Sequence, residues 1–379
     1  MPGTRSPSNV ASALRIGSVL RIGVVLLLTV APLAGCAGYY LQAAAGQAAL
    51  MRARVPVEKV LADPATPATL RRQLLLVDEA LLFARLQLAL PATKSYRQYA
   101  DLGRPYVVWN VFAAPEFSLE PRQWCYPIAG CTTYRGWFSE ERAQASAARL
   151  AVRGDDVFVG GVAAYSTLGW LADPVLNTML DENDAGLAGL LFHELAHQRV
   201  YAPGDTLFNE GFATLVEEEG TRRWLASRSD ESSLCNLELR QSRRAAVLGI
   251  IAELRTLLAV VYAAETPVEL RRQRRAVAFE QARASYARLR AGWPEPPWFD
   301  SWFEPGLNNA RLAALSSYED YVPAFRMLLE RDGGDLARFY ASVEALGELD
   351  PEDRELALQE LSQQPVGSVS VPPASCNCP

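Results

Sequence analysis

His193-Glu194-Leu195-Ala196-His197 holds both histidines of a 379-residue chain. Leu187, Leu190, Leu191, Leu195 and Val200 recur around it at helical spacing, with Asp181 or Asp184 placed to cap the start. On an α-helix, His193 and His197 stand one turn apart on one face, and Glu194 lies about 100° away beside the same cleft. Two imidazoles so spaced can ligate one zinc ion per chain, while the carboxylate takes the proton of a water attacking a carbonyl. Shifting either histidine by one position would turn it off the metal's side of the helix.

A catalytic zinc takes three protein ligands and keeps one position open. No third histidine exists, so an acid must complete the set. The break at Pro203-Gly204-Asp205-Thr206 restarts a second helix, on which Phe208-Asn209-Glu210-Gly211-Phe212-Ala213 can face back toward the histidines. This segment resembles the Asn-Glu-Gly-Phe-Ala stretch of gluzincin peptidases, a likeness that implies Glu210 as third ligand. Glu217 lies seven residues on, on the same helix face, and matches a second glutamate of that motif that would orient a ligand. Twelve residues separate His197 from Glu210, a shorter interval than the large gluzincin aminopeptidases usually show. Spacing alone favours Glu217; motif identity favours Glu210, which is the preferred ligand.

The wider run from His193 to Glu217 resembles a family of bacterial lipoproteins described as putative aminopeptidases. Other pieces agree: Gly35-Cys36 followed by Tyr39-Tyr40, Cys125 to Cys131 with Tyr134-Arg135-Gly136, and Tyr165-Ser166-Thr167-Leu168-Gly169-Trp170. So do Leu307-Asn308-Asn309-Ala310 and the block from Tyr318 through Val322-Pro323-Ala324-Phe325. The resemblance implies a zincin-like peptidase acting on peptides. The oxyanion of the cleavage step needs a donor that is not a histidine, and Tyr318, in a shared block, is the candidate. The Gly-x-Met-Glu-Asn signature of the large aminopeptidases is absent, so an endopeptidase stays open. A lipoprotein scaffold with a structural zinc is the reading from another class, and it would have no use for Glu194.

The first 35 residues read as a lipoprotein signal peptide. Arg5, Arg15 and Arg21 precede the apolar run Ile22 to Val30, too short to span a bilayer, and Leu33-Ala34-Gly35-Cys36 looks like a lipobox. Cys36 would then be the lipidated N-terminus, and Ala37 after it resembles lipoproteins sent to the outer membrane. The expected location is the periplasmic face of a Gram-negative envelope, with the anchor as the membrane contact. Without that segment the chain holds 34 basic and 43 acidic residues, a net of −9, which disfavours nucleic acid as a partner. Thirty-five of the basic residues in the whole chain are arginines, with only Lys59 and Lys94 as lysines. No later run reaches the roughly 18 apolar residues of a membrane helix.

Export makes a disulfide between Cys125 and Cys131 the expectation for that six-residue spacing. Cys235 stands alone, and Cys376 and Cys378 fall in a tail over 365–379. The rest, 36–364, reads as one catalytic domain of α+β class, predominantly α-helical, with a helical N-terminal part and a small sheet before the zinc-binding helix. Tyr106–Phe112 and Asp156–Ser166 are the expected strands, the second bulged at Gly160-Gly161. That second strand is where zincins pair an extended substrate, which would put the two glycines against it. Ser139–Arg153 and nearly everything from Asp173-Pro174 to Leu361 read as helix. The Arg-rich helix over Pro267–Arg290 reads as a solvated face.

Overall fold

The computed structural model describes residues 38–363, apart from 92, 127–129, 168, 181, 294–298 and 304–305. The expected signal segment with Cys36, and the tail with Cys376 and Cys378, lie outside the described residues. The chain divides into two compact units, Met1–Arg52 and Ala53–Pro379. The described part of the first is one helix, α1, over 38–52.

The second unit opens with β1 (Val55–Pro56), α2 (Val57–Ala62) and α3 (Ala68–Gln87). Leu74, Val77, Ala80 and Ala84 of α3 recur at three and four and are buried, which is why this stretch is helical and packed. Then come β2 (Gln98–Ala100), β3 (Val108–Pro115), β4 (Trp124–Tyr126), β5 (Gly130–Thr132), β6 (Tyr134–Trp137), α4 (Glu140–Ala151), β7 (Asp155–Val162) and β8 (Val175–Leu176). β6, β3 and β7 form an antiparallel sheet in that order, leaving β7 at an edge. Seven successive residues of β3, Val108 to Ala114, are buried. A central strand covered by α4 on its flank and by helical residues further on has no solvent side to alternate with. β1, β2 and β8 make a second small sheet, and β4 with β5 a hairpin.

Two expectations about this region need correction. β3 and β7 pair residue for residue from Val108↔Val162 to Pro115↔Asp155, so Gly160-Gly161 is not a bulge. The glycine has another cause: a β-carbon on Gly161 would lie 2.3 Å from the Tyr106 ring, which covers that point of the strand. Gly161 thus faces a tyrosine and not an open groove. The helical stretch also starts later than expected, since β8 and a 3-10 turn (Asn177–Met179) intervene after Pro174.

The remainder is helical: α5 (Asp184–Arg199), α6 (Thr206–Ser227), α7 (Glu231–Ala263), α8 (Val268–Arg290), α9 (Asp300–Phe303), α10 (Asn309–Glu319), α11 (Val322–Arg331), α12 (Leu336–Gly347) and α13 (Pro351–Gln363). α5 is capped by Asn183, whose side chain accepts from Gly186 N at 2.8 Å, and not by an aspartate. Asp184 falls one position later and pairs with Arg72 instead. α7 and α8 pack as a hairpin through Val247, Ile251, Leu254 and Leu258 against Ala278, Phe279, Ala282 and Tyr286. Contrary to the expectation, α7 holds an 18-residue window of mean hydropathy 1.9, long and apolar enough to cross a membrane by length and composition alone. The arginines of α8 are only in part a solvated face: Arg272 reaches Glu116 and Arg275 reaches Asp156, tying the hairpin to the ends of β3 and β7. Phe212 of α6 sits among Phe325, Phe339 and Tyr340, the aromatic floor beneath the two helices that carry the site.

Candidate metal centre

α5 and α6 lie against one another because glycines stand where they cross. A β-carbon on Gly220 would come within 2.8 Å of the Phe192 ring, and one on Gly189 within 2.8 Å of Thr221 Oγ1. That close approach brings the polar faces of the two helices together. His193 and His197 project from α5, and Glu210 projects from α6 to meet them; all three are buried.

The donor atoms form a compact triangle. His193 Nε2 is 3.2 Å from His197 Nε2 and 3.3 Å from Glu210 Oε2, and His197 Nε2 is 3.7 Å from the same oxygen. Ligand atoms bound tetrahedrally to zinc at about 2.0–2.1 Å stand about 3.3–3.4 Å apart, so these separations fit one such ion between the three. The three donor atoms also lie within hydrogen-bonding reach of one another, so the same geometry closes the site by imidazole–imidazole and imidazole–carboxylate hydrogen bonds. Among the described residues, His193, His197 and Glu210 are the one group of this kind.

Glu217 lies on the far side of His193. Its Oε2 is 3.0 Å from Nδ1, so that ring nitrogen donates to it and Nε2 is left turned toward the triangle. The structure therefore separates the two glutamates: Glu210 joins the donor triangle, and Glu217 contacts the ring from behind. His197 Nδ1 is buried with no hydrogen-bond partner among the described residues. Burial works against both carboxylates, yet hydrogen bonds from His193 and His197 hold Glu210 at about 2, and His193 holds Glu217 below the usual carboxylate range. The balance on His193 is the mirror image: burial disfavours its charge, but Glu210 and Glu217 together push it well up.

Glu194 is buried beside this triangle. Burial pushes its carboxyl above the ordinary range; His193 and His197 oppose the shift, while Glu210 and Asp173 add to it. Tyr318 belongs to α10, but its side chain lies outside those described. Three other tyrosines, none of which sequence reasoning singles out, border the site. The Tyr134 phenol on β6 is pushed well up by burial, then by Glu210, Tyr201, Glu194 and Tyr165. Its ring is fixed 5.5 Å from Phe112, its cross-strand partner on β3. Tyr201, just past the end of α5, is raised by burial and by Glu210. Tyr96 is buried, sits in the left-handed region at φ +63°, and is raised by burial, Glu194 and Asp173. A non-glycine residue held there beside an ionisable group is local strain of the kind that gathers at functional sites. Cys125 and Cys131 are joined by a disulfide across the β4–β5 hairpin.

Two histidines one turn apart, a glutamate from a neighbouring helix and a buried carboxylate next to the first histidine define a candidate metal-dependent hydrolase site. Residues 38–358 match the model of the family described as "putative aminopeptidase", and the chain belongs to that family. No curated protein and no solved structure matches the chain.

Proposed function

We propose that the chain is a zinc-dependent peptidase of zincin-like fold that cleaves peptide bonds, an aminopeptidase as its family description suggests. The observation that carries this reading is the triangle of His193, His197 and Glu210, whose 3.2–3.7 Å edges fit one tetrahedral ion. When bound there, zinc supplies Lewis acidity to a water and to the scissile carbonyl. Glu194 takes the proton of the attacking water on a carboxylate oxygen and passes it to the leaving amine. Glu217 keeps His193 turned so that Nε2 points at the ion. The Tyr134 hydroxyl, held by the sheet and the Phe112 ring, donates a hydrogen bond to the developing oxyanion. Burial of the triangle keeps bulk water from screening these charges.

Lipidation at Cys36 and a place on the periplasmic side of the outer membrane form part of the same proposal. They are supported by the basic, apolar and Leu33-Ala34-Gly35-Cys36 sequence pattern. Globomycin-sensitive processing of the chain in a Gram-negative host would support them, and a soluble, unprocessed product would sink them.

The decisive experiment pairs metal analysis with Glu194→Gln. The purified protein should carry one zinc per chain, and the variant should keep it while hydrolysis of a peptide panel falls by about 10²–10⁴-fold. Unchanged cleavage by Glu194→Gln would exclude this mechanism. A zinc-loaded protein with no cleavage of any peptide would favour a scaffold with a structural ion. Cleavage confined to substrates with a free α-amine would separate an aminopeptidase from an endopeptidase.

A further inference from the structure

Two glycines meet backbone to backbone where the β4–β5 hairpin touches the turn between α5 and α6. Gly130 and Gly204 both lie in the left-handed region, at φ +73° and +84°. A β-carbon built on Gly130 would stand 2.6 Å from both the Cα and the N of Gly204. Those atoms are backbone, so the contact cannot relax by swinging a side chain. Gly130 adjoins Cys131, and the disulfide to Cys125 closes the hairpin across two directly opposed residues.

The turn under this contact joins the helix of His197 to the helix of Glu210. Its inner side is held by Asn209, which accepts from Ala202 N and donates to Ala202 O, both at 2.8 Å. Its far end is held by Asp205, which caps α6 and accepts from Arg354 Nε at 2.9 Å. Pro203-Gly204, between those two anchors, is the part on which the hairpin rests.

We infer that the Cys125–Cys131 disulfide is a positioning pair for the metal centre. It stiffens the hairpin, Gly130 then backs the Pro203–Gly204 turn, and the turn fixes the separation of His197 from Glu210. The effect is carried through backbone, from Gly130 to Gly204. The inference rests on reading the triangle as a zinc site, and the experiment keeps the two apart.

The full-length protein is compared oxidised and after treatment with a water-soluble phosphine. That reagent turns the disulfide into two thiols and itself into the phosphine oxide, with water supplying the oxygen and the two protons. Hydrogen exchange is read over residues 200–205, and zinc affinity by competition with a chromogenic chelator. Reduction should speed exchange in that turn and weaken zinc by about tenfold or more, with the helical circular dichroism retained. Gly130→Ala should do the same with the disulfide intact. Gly154→Ala carries a similar left-handed strain, at φ +88° with nothing within 4 Å of its β-carbon and outside this turn, so it should hold zinc within about threefold.

Unchanged exchange over 200–205 in both the reduced protein and Gly130→Ala would overturn the inference. So would a uniform speeding of exchange with loss of helix in both, because the disulfide would then serve only folding. If the oxidised parent binds no zinc, the reading of the centre fails, and exchange at the turn still decides whether the hairpin holds it.

Discussion

Glu217 Oε2 lies 3.0 Å from His193 Nδ1, on the opposite edge of the ring from the nitrogen that faces Glu210. The two glutamates of α6 thus grip one imidazole from its two nitrogens, and they do different work. Glu210→Ala removes a donor and should abolish stoichiometric zinc. Glu217→Ala leaves all three donors in place and should weaken zinc by about 10–100-fold, as loss of a ligand's supporting hydrogen bond does. Chelator competition on the two variants checks this, and equal loss in both would reverse the assignment.

Tyr134 is the phenol whose surroundings include both Glu210 and Glu194. As an oxyanion donor it acts in the transition state, so Tyr134→Phe should lower kcat by about 10²–10³-fold. KM and zinc content should change little. Steady-state kinetics with metal analysis decides it. A variant with unchanged kcat returns Tyr134 to a packing role against Phe112.

Helix contact and helix propensity give a paired stability test. Gly220→Ala would push a methyl to 2.8 Å from the Phe192 ring and 2.9 Å from a Leu88 methyl, and overpacking of that kind should cost about 1–3 kcal/mol. Gly249, within α7, has nothing within 4 Å of the same position, so Gly249→Ala should gain up to about 1 kcal/mol. Denaturant melts should show opposite signs.

Glu219 links stability to acid. Burial works against its carboxylate, but hydrogen bonds from Arg222 and Arg223 outweigh that and hold it below the usual range. A carboxyl depressed in the fold stabilises above its unfolded value, and that contribution disappears as pH falls through the folded value. The melting temperature should therefore drop below about pH 4.5. In Glu219→Gln the neutral-pH stability should fall by about 1–2 kcal/mol, with a shallower acid limb.

The helix of His193 and His197 is legible in the sequence because everything it needs is local. Ligand spacing, apolar period and the break at Pro203-Gly204 all fall within a few turns of His193. Glu210 against Glu217 was not decidable that way, since the answer depends on how α6 leans on α5, which Gly189 and Gly220 set. Tyr96 and Tyr134 come from segments far upstream, and only the packing of β6 on β3 brings Tyr134 to the carboxylates. The glycine pair of β7 has a similar lesson. Its absent side chains answer to the Tyr106 ring, a neighbour that no strand pattern reveals. Arg272 and Arg275 of α8 find acids just past β3 and on β7, partners that the charge pattern of one helix does not reveal.

Asn209, which closes both ends of its amide on Ala202, stands directly before Glu210. The interval between histidine and glutamate therefore acts as a caliper whose opening is set by residue count. One residue added between Asp205 and Glu210 would carry the carboxylate about 100° around α6 and out of the jaws. Insertions in this chain would have to fall in other segments, because the length of this one is already committed to the distance between His197 and Glu210.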